Sequence, residues 1–497
     1  MYVFSEGNIL QQLTRCDVGQ VTQIDLLPDD VLLDIFDFCV DQDGFRRFIY
    51  TQIKGQIEAW QSLVHVCRRW RNIVFGSPLR LNLALVYTDR TPARDTLDVW
   101  PPLPLVIQSH GYGTDGDFLK ENVDNIIAVL ERSDRVCQIS LKGVPNSHLE
   151  DLLAAVQEPV PELRHLWLGS YGGPVIPDSF LGGSAPRLRY IWLDGISFPG
   201  LPMLLLSSTY LVDLRLWNTP HSGYISPGAM ATSLSTLTSL QYLTLEFQSP
   251  RSCPDQESRH PPLLPRSVLP VLTDFVFKGV SEYLEYLMAL IDAPRLNELY
   301  ITFFNQIVFE TPQFIQFINR TPTLRSLEKA YVTFGNDAAM VNLSLLTPIY
   351  GEFYVKIPCR ELDWQVSSLE QVCTSSLPPL SILEDLYIHK VPHSQPDCQD
   401  NIENALWLEL LNSFPTVKNL YLCVEFAPRI MRALQELVGG RTMEVMPSLQ
   451  NIFLEELQAS GPVQEGIWQF VAARRATSHP IVVSFWENPQ RDKFRGH

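Results

Sequence analysis

The stretch LRHLWL at 163–168 returns with small changes as LRYIWL at 188–193, LVDLRL at 211–216 and LQYLTL at 240–245. All four have the form Leu-x-x-Leu-x-Leu, with one isoleucine in place of leucine. Six further copies extend the series: VCQISL (136–141), LTDFVF (272–277), LNELYI (296–301), LEDLYI (383–388), VKNLYL (417–422) and LQNIFL (449–454). The copies start 23 to 34 residues apart, except across 324–383, where we expect one degenerate copy near 345–357. Self-similarity at this period predicts an array of stacked structural units.

This pattern resembles leucine-rich repeats. The resemblance implies an α/β solenoid, in which each copy supplies one short strand and the intervening residues return as a helix or an irregular turn. The family places an asparagine or cysteine three residues after the last leucine, and here that position holds Tyr171, Ile196, Thr219 or Gln248. Without that side-chain ladder we expect an irregular solenoid of varying curvature.

The strands of such an array present a second set of residues to the outside. Period-two alternation directs the leucines into the core and the other strand residues to the concave surface. In the nine copies from 163 onward, six of the residues between the last two leucines are aromatic. The nine are Trp167, Trp192, Arg215, Thr244, Val276, Tyr300, Tyr387, Tyr421 and Phe453. Acidic residues collect two positions away: Asp194, Asp213, Glu246, Asp274, Glu298, Asp385 and Glu455, against Arg215 and Lys278 as basic residues.

We therefore expect the concave surface to bind a substrate protein that presents basic and apolar side chains, because aromatic residues on rigid strands are good interface anchors. The predicted substrate-binding residues are Trp167, Trp192, Asp194, Asp213, Arg215, Tyr300, Tyr387, Tyr421 and Phe453. The alternative is that helices, loops or a neighbouring repeat cover these aromatic side chains.

Residues 24–80 carry a different, helical pattern. Pro28, Asp29 and Asp30 are typical of a helix start, and apolar residues then recur at i, i+3, i+4 and i+7. A second helix is predicted from Phe45 to Trp60, and a third from Leu63 to Val74, with Arg68, Arg69 and Arg71 near its end. The simplest interpretation is a three-helix bundle that buries its own apolar stripes.

The strings LLPDDVLLDIF (26–36) and LVHVCRRWRNIVFGSPLR (63–80) closely resemble the two halves of an F-box in the divergent form typical of fungal F-box proteins. The resemblance implies docking on the SKP-type adaptor of a cullin–RING ubiquitin ligase. The implied adaptor-binding residues are Leu26, Leu27, Pro28, Leu32, Ile35, Phe36, Leu63, Val66, Cys67 and Trp70. About twenty residues (41–60) separate the two halves, where many F-boxes have a few. That insertion either lengthens a helix without effect or weakens adaptor binding.

Composition narrows the class of protein. The chain has 497 residues and a net charge of −17, which disfavours nucleic acid or an anionic membrane as the main partner. Its nine cysteines are scattered, and neither a signal peptide nor a bilayer-spanning stretch is evident, so we expect a cytoplasmic or nuclear protein that is not secreted.

The predicted organisation is an extension (1–23), the F-box-like module (24–80), a linker with the first βα unit (81–135), the solenoid (136–487) and a polar tail (488–497). Residues 249–270 and 391–401 are predicted surface loops, and 480–486 a capping strand.

One motif favours an enzyme. Gly111, Gly113 and Gly116 match G-x-G-x-x-G between a predicted strand (103–107) and a predicted helix (117–132), the order of a dinucleotide-binding unit. However, Lys142 stands where an acidic residue would hold the ribose. No other nucleophile, metal or phosphate motif is present, so we expect no catalytic residue, metal or cofactor.

The sequence favours a substrate-recruiting subunit of a ubiquitin ligase over a scaffold without that role, and over a nucleotide-binding enzyme that uses 103–142.

Overall fold

The computed structural model describes residues 23–41, 59–78, 80–81, 83–110, 120–252, 266–304, 309, 311–345, 351–377, 380, 382–391, 403–455 and 462–486. The chain forms two compact units, one of residues up to 86 together with 92–106, and one of 87–91 together with 107 onward. Most of the predicted extension, most of the 41–60 insertion, the glycine motif at 111–116 and the polar tail lie outside the described residues.

The first unit is helical. A 3-10 turn at Gln23–Leu26 precedes the helices, which are α1 (Asp29–Asp41), α2 (Ala59–Val64), α3 (Arg68–Gly76) and α4 (Ala93–Thr96). The single helix predicted from Leu63 to Val74 was wrong, because the chain breaks at Cys67. Cys67 is extended and caps α3, its Sγ accepting a hydrogen bond from the backbone N–H of Trp70 at 3.5 Å.

The arginines of this segment begin α3 and do not end a helix, so a favourable interaction with the helix dipole does not explain them. They make specific contacts instead. The Arg69 guanidinium lies 2.6 Å from the Asp29 carboxylate and donates to the carbonyl of Leu27. Arg71 Nε donates to the carbonyl of Val64 at 3.0 Å. Arg69 thus ties the start of α1 to the start of α3.

The second unit contains most of the strands and helices. The strands of the chain are β1 (Leu85–Thr88), β2 (Leu105–His110), β3 (Val136–Lys142), β4 (His165–Gly169), β5 (Tyr190–Asp194), β6 (Asp213–Thr219), β7 (Tyr242–Phe247), β8 (Ser267–Val268), β9 (Asp274–Gly279), β10 (Ile291–Asp292), β11 (Glu298–Phe303), β12 (Lys329–Phe334), β13 (Ala338–Ser344), β14 (Glu352–Pro358), β15 (Asp385–Lys390), β16 (Asn419–Leu422), β17 (Asn451–Leu454) and β18 (Val482–Phe485). The remaining helices are α5 (Lys120–Leu130), α6 (Asn146–Ala155), α7 (Leu201–Ser207), α8 (Pro227–Leu234), α9 (Ser281–Leu290), α10 (Pro312–Arg320), α11 (Leu362–Ser376), α12 (Asn404–Asn412), α13 (Ala427–Gln435) and α14 (Pro462–Ala476).

From β3 onward the strands form one long, mostly parallel sheet, apart from β8 and β10, which pair with each other in a separate two-stranded sheet. The protein therefore has a mixed α/β fold of repeated units. From β3 onward the spatial order is β3-β4-β5-β6-β7-β9-β11-β14-β13-β12-β15-β16-β17-β18. Each quoted Leu-x-x-Leu-x-Leu copy contains one of these strands, which confirms one short strand per copy. Strand β18 pairs in parallel with β17, as predicted for the capping strand.

The segment across 324–383 differs from the prediction of one degenerate copy. It supplies three strands, and β13 runs antiparallel to both β12 and β14. Strand β14 pairs in parallel with β11, and β12 pairs in parallel with β15. One antiparallel strand, β13, is therefore inserted between β14 and β12, which keep the direction of the other strands of the sheet. We call these three strands the hairpin excursion.

One face of the sheet is covered by helices. Phe277 of β9 stacks on Tyr283 of α9 with ring centroids 5.9 Å apart, and Phe353 of β14 packs on Phe314 of α10 at 6.0 Å. The alternate residues of most of these strands are half-buried. We call the surface that they form, opposite the helices, the open face.

Neighbouring repeats are also joined by polar contacts. The Glu285 carboxylate of α9 accepts hydrogen bonds from the backbone N–H groups of Gln313 and Phe314, which begin α10. At the other end of α10, Arg320 pairs with Asp292 of β10. Both ends of α10 are therefore held by the preceding repeat.

None of the helices described is both long enough and apolar enough to cross a lipid bilayer. Within the same residues, no cluster of three histidine, cysteine, aspartate or glutamate side chains has the geometry to hold a metal ion.

A buried arginine holds the last repeats together. The Arg474 side chain is 0% exposed and donates to the carbonyl oxygens of Thr442 (3.1 Å), Met446 (3.3 Å), Pro447 (3.3 Å) and Leu449 (3.1 Å). Burial lowers its pKa, and the carbonyl dipoles compensate the buried charge.

We expect Arg474→Ala to lower the free energy of unfolding by at least about 3 kcal/mol, since each buried carbonyl left without a donor costs about 1 to 3 kcal/mol. Urea unfolding followed by circular dichroism measures this change. Arg475→Ala, at the exposed neighbouring position, is the matched control and should change stability by no more than about 0.5 kcal/mol. Equal effects of the two substitutions would contradict the assignment.

Candidate functional site

Helix α1 carries apolar side chains on two faces. Leu32 and Phe36 are fully buried, and Phe36 packs on Trp70 with ring centroids 4.7 Å apart. Val31, Ile35 and Phe38 lie at i, i+4 and i+7 on another face, and Phe38 is 67% exposed. We call these three residues the outer stripe of α1.

The predicted adaptor-binding residues divide by exposure. Leu26, Pro28, Ile35 and Val66 are exposed, whereas Leu27, Leu63, Cys67 and Trp70 are half-buried. Leu32 and Phe36 belong to the core of the first unit, which corrects the expectation that they face a partner. Val31 and Phe38 were missed, although helical spacing from Ile35 was sufficient to find them.

The open face is ordered because the strands pair in register. Trp167 lies opposite Trp192, Trp192 opposite Arg215, Val276 opposite Tyr300, and Tyr387 opposite Tyr421. Residues that occupy the same place in the repeat therefore form rows across the sheet. We distinguish three groups along these rows.

The first group, the tryptophan cluster, comprises Trp167, Trp192 and Trp217 with two cations of the chain. Lys142 Nζ lies over the Trp167 ring, and the Arg215 guanidinium carbon lies 5.0 Å from the centroid of the Trp192 ring. Burial lowers the Lys142 pKa to about 8, against the opposing effect of the Asp194 carboxylate. These tryptophan rings thus already contact cations of the same chain.

The carboxylates of this cluster are also engaged. Arg215 Nε lies 2.9 Å from Asp213 Oδ1, and Asn218 donates to Asp194 at 2.8 Å. Asp213 is 3% exposed and Trp192 is 8% exposed. Asp213 and Trp192 are therefore internal residues, which corrects their prediction as substrate contacts. Trp167, Asp194 and Arg215 stay half-buried on the open face.

The second group, the central acidic site, lies on β9, β11 and β14. Asp274, Glu298 and Glu352 are neighbours in register on these strands. Tyr300 and Tyr354 follow two residues later, with ring centroids 5.9 Å apart, and the Tyr300 hydroxyl donates to Glu352 at 2.7 Å. Burial, together with the Asp274 and Glu352 charges, raises the pKa of Glu298.

The third group is a stack of rings on β12, β15, β16 and β17. Successive centroid distances are 4.5 Å for Tyr331 and Tyr387, 4.1 Å for Tyr387 and Tyr421, and 4.5 Å for Tyr421 and Phe453. The Trp486 ring meets Tyr387 and Tyr421 edge-on, at 5.8 and 5.4 Å. Each predicted residue of this group is half-buried, so the helices do not cover it.

A polar ladder runs beside this stack. Asn419 donates to the Asp385 carboxylate, and Asn451 donates to the Asn419 side-chain oxygen, both at 2.7 Å. The sequence predicts no asparagine ladder after the last leucine of each repeat. The row of Asp385, Asn419 and Asn451 is a hydrogen-bonded ladder at a different position, on the open face.

Sequence reasoning missed several members of these groups: Lys142, Trp217, Tyr331, Glu352, Tyr354 and Trp486. Tyr331 and Tyr354 lie on β12 and β14, where Ala330 and Phe353 replace the leucines of the motif. Period-two alternation in 352–358 was the available signal.

Strands β2 and β3 with helix α5 match the predicted strand–helix–strand order around the glycine motif. Since the glycines lie outside the described residues, the structure leaves that motif untested. Lys142, at the end of β3, packs on Trp167 as part of the open face.

No protein-family model and no curated protein matches this chain. Among solved structures, the leucine-rich repeat-containing protein LegL7 from Legionella pneumophila is similar over 67% of this chain and 97% of its own length, at 12% identity and a TM-score of 0.26. The overlap at this TM-score is slight, and the repeated strand–helix architecture is established by the strand register itself.

We expect Glu298→Gln to stabilise the protein at neutral pH. A raised carboxyl pKa means that the folded state binds the proton more tightly than the unfolded state, so the stability contributed by this group falls as pH rises above the ordinary value of 4.5. The amide removes the charge and keeps a second, longer acceptor for the Tyr300 hydroxyl, which lies 3.3 Å from the Glu298 side chain in addition to its 2.7 Å bond to Glu352. Urea midpoints should favour the variant at pH 7, and the difference should shrink towards pH 4. Glu409→Gln, at an exposed position of α12, should show no such gain. A variant less stable than the parent at pH 7 would contradict the expectation.

Proposed function

We propose that this protein recruits a substrate to a cullin–RING ubiquitin ligase, the first unit binding an SKP-type adaptor and the open face binding the substrate protein. Such a subunit accelerates ubiquitin transfer by bringing the substrate into the same assembly as the conjugating enzyme. It requires no catalytic residue and no cofactor of its own.

The outer stripe of α1 is the observation that carries the proposal. A helix that buries one apolar face in its own unit, while Val31, Ile35 and Phe38 stay exposed on another, retains apolar area for a second protein. Leu26 and Val66, on either side of the helix in the F-box-like strings, are 73% and 58% exposed. Anchors at i, i+4 and i+7 are typical of helix-in-groove recognition.

The open face supports the substrate-binding part of the proposal. Its aromatic rings are held on hydrogen-bonded strands and stack on one another, so little side-chain entropy is lost when a partner covers them. The rings stand beside carboxylates, which favours a partner with basic side chains.

Two alternatives make different predictions. A scaffold without a role in ubiquitination would bind a protein through the open face and would not capture the adaptor. A nucleotide-binding enzyme would use residues 103–142. At a hundred times its dissociation constant, NAD or ATP would then add about 2.7 kcal/mol to the free energy of unfolding, and a thermal-shift measurement would detect it. We expect no shift with either nucleotide.

We expect Phe38→Asp to abolish co-purification of the SKP-type adaptor. The substitution replaces an apolar side chain that the adaptor would bury with a charged one. Such buried contact residues contribute at least about 2 kcal/mol to binding, or roughly thirtyfold in affinity. Because Phe38 is 67% exposed, the substitution should leave the circular dichroism spectrum and thermal midpoint unchanged. Binding is measured by calorimetry with the purified adaptor.

Val99→Asp is the matched control, since Val99 is 69% exposed in the same unit but lies outside the F-box-like strings. It should retain adaptor binding. If the parent protein does not bind the adaptor, the ligase role fails. If both variants bind the adaptor as well as the parent does, the outer stripe is not the adaptor-binding surface. Leu32→Asp is unsuitable as a test, because a charge at this fully buried position would disrupt the core itself.

A further inference from the structure

The tryptophan cluster shows how this fold holds a cation on its open face. Arg215 is the third residue of β6, and its carboxylate partner Asp213 is the first residue of the same strand. Its aromatic partner Trp192 lies on β5, the preceding strand of the sheet. The guanidinium is thus held by a carboxylate and an aromatic ring. Lys142 on Trp167 is a second cation supplied by the chain.

The central acidic site has a related arrangement without the cation. Asp274 is the first residue of β9, as Asp213 is of β6, and the third residue is Val276, where β6 has Arg215. The aromatic neighbour, Tyr300, lies on β11, which follows β9, whereas Trp192 lies on the strand that precedes β6. Among the described residues, no lysine or arginine forms an ion pair with Asp274, Glu298 or Glu352.

The central acidic site also carries more negative charge that no cation in the described part of the chain offsets than the tryptophan cluster does. Three carboxylates follow one another in register, on strands spaced by about 4.8 Å. Lys278 and Lys356 lie four residues further along β9 and β14, about 13 Å away at about 3.3 Å per residue. The nearest cations of the same strands therefore leave the negative charge of the three carboxylates in excess.

Building on the proposed substrate-binding role of the open face, we propose that the central acidic site binds an arginine side chain of the substrate protein. The guanidinium takes the place that Arg215 occupies in the tryptophan cluster, between the carboxylates and the rings of Tyr300 and Tyr354. Its planar fork can donate to two neighbouring carboxylates while it packs on a ring, which a lysine ammonium cannot do as well. The net charge of −17 favours the approach of a basic segment.

The test uses the full chain and a fluorescein-labelled peptide of alternating arginine and glycine, with fluorescence anisotropy as the readout. Two control peptides replace arginine by citrulline or by lysine. We expect the arginine peptide to bind more tightly than either control. The double substitution Glu298→Gln with Glu352→Gln should raise its dissociation constant at least about tenfold. Glu409→Gln on the exposed side of α12 should leave that constant unchanged.

Several results would overturn the proposal. If the citrulline peptide bound as tightly as the arginine peptide, or if Glu409→Gln weakened binding as much as the double substitution, the site would not recognise the positive charge of the guanidinium. Equal binding of the lysine peptide would contradict the selection of a guanidinium. Undetectable binding of the arginine peptide to the parent protein would remove the site altogether.

A second variant tests the analogy without removing a carboxylate. Val276→Arg places a guanidinium two residues after Asp274 and opposite Tyr300, so the new side chain should occupy the site from within. We expect this variant to lose peptide binding at least about tenfold while its unfolding midpoint stays the same or rises. Val212→Arg, which adds the same charge at a half-buried position just before β6, should keep peptide binding. Undiminished binding to Val276→Arg would contradict the proposed position of the guanidinium.

The adaptor is measured on the same preparations. The glutamine variants should bind it normally, and Phe38→Asp should still bind the arginine peptide. A parent protein that binds the adaptor but not the arginine peptide therefore refutes the arginine site alone, whereas a parent protein that binds the peptide but not the adaptor refutes the ligase role alone.

Discussion

The register of the parallel strands is the constraint on which the rest of the structure depends. Because each strand pairs residue for residue with its neighbour, one place in the repeat becomes one row across the sheet. The leucine places form a continuous core beneath the helices, and the places between them form the open face. A one-residue slip in any strand would exchange the two sets. The leucines thus determine which side chains are available to a partner.

Rows bring like side chains within about 5 Å of one another, and the consequence depends on their chemistry. Aromatic rings gain from this spacing, as the stack from Tyr331 to Phe453 shows. Carboxylates at this spacing repel one another unless a cation lies between them. Arg215 pairs with Asp213, whereas Glu298 has no such cation among the described residues, and burial together with the Asp274 and Glu352 charges raises its pKa. The raised pKa means that the ionised Glu298 carboxylate lowers the stability of the folded state at neutral pH.

The sequence predicted the strands best, because the leucine motif reports burial, and burial determines strand position. It failed where other apolar residues fill the same places, as Ala330 and Phe353 do in the hairpin excursion. It also failed where a single side chain decides the local structure, as Cys67 does by capping α3 inside an apparently continuous helical pattern. The exposed and internal members of the candidate surfaces could not be separated from sequence, since Trp192 and Trp167 occupy the same repeat position and differ only in what their neighbours place over them.

The two units leave apolar and aromatic side chains exposed for different physical reasons. In the first, a short helix has more apolar surface than its small bundle can bury, so the outer stripe of α1 remains after Leu32 and Phe36 have formed the core. In the second, the core is large and continuous, and the exposed rings are side chains that the leucine pattern leaves free. The first surface is limited by the size of the bundle. The second extends with every repeat and can differ from repeat to repeat.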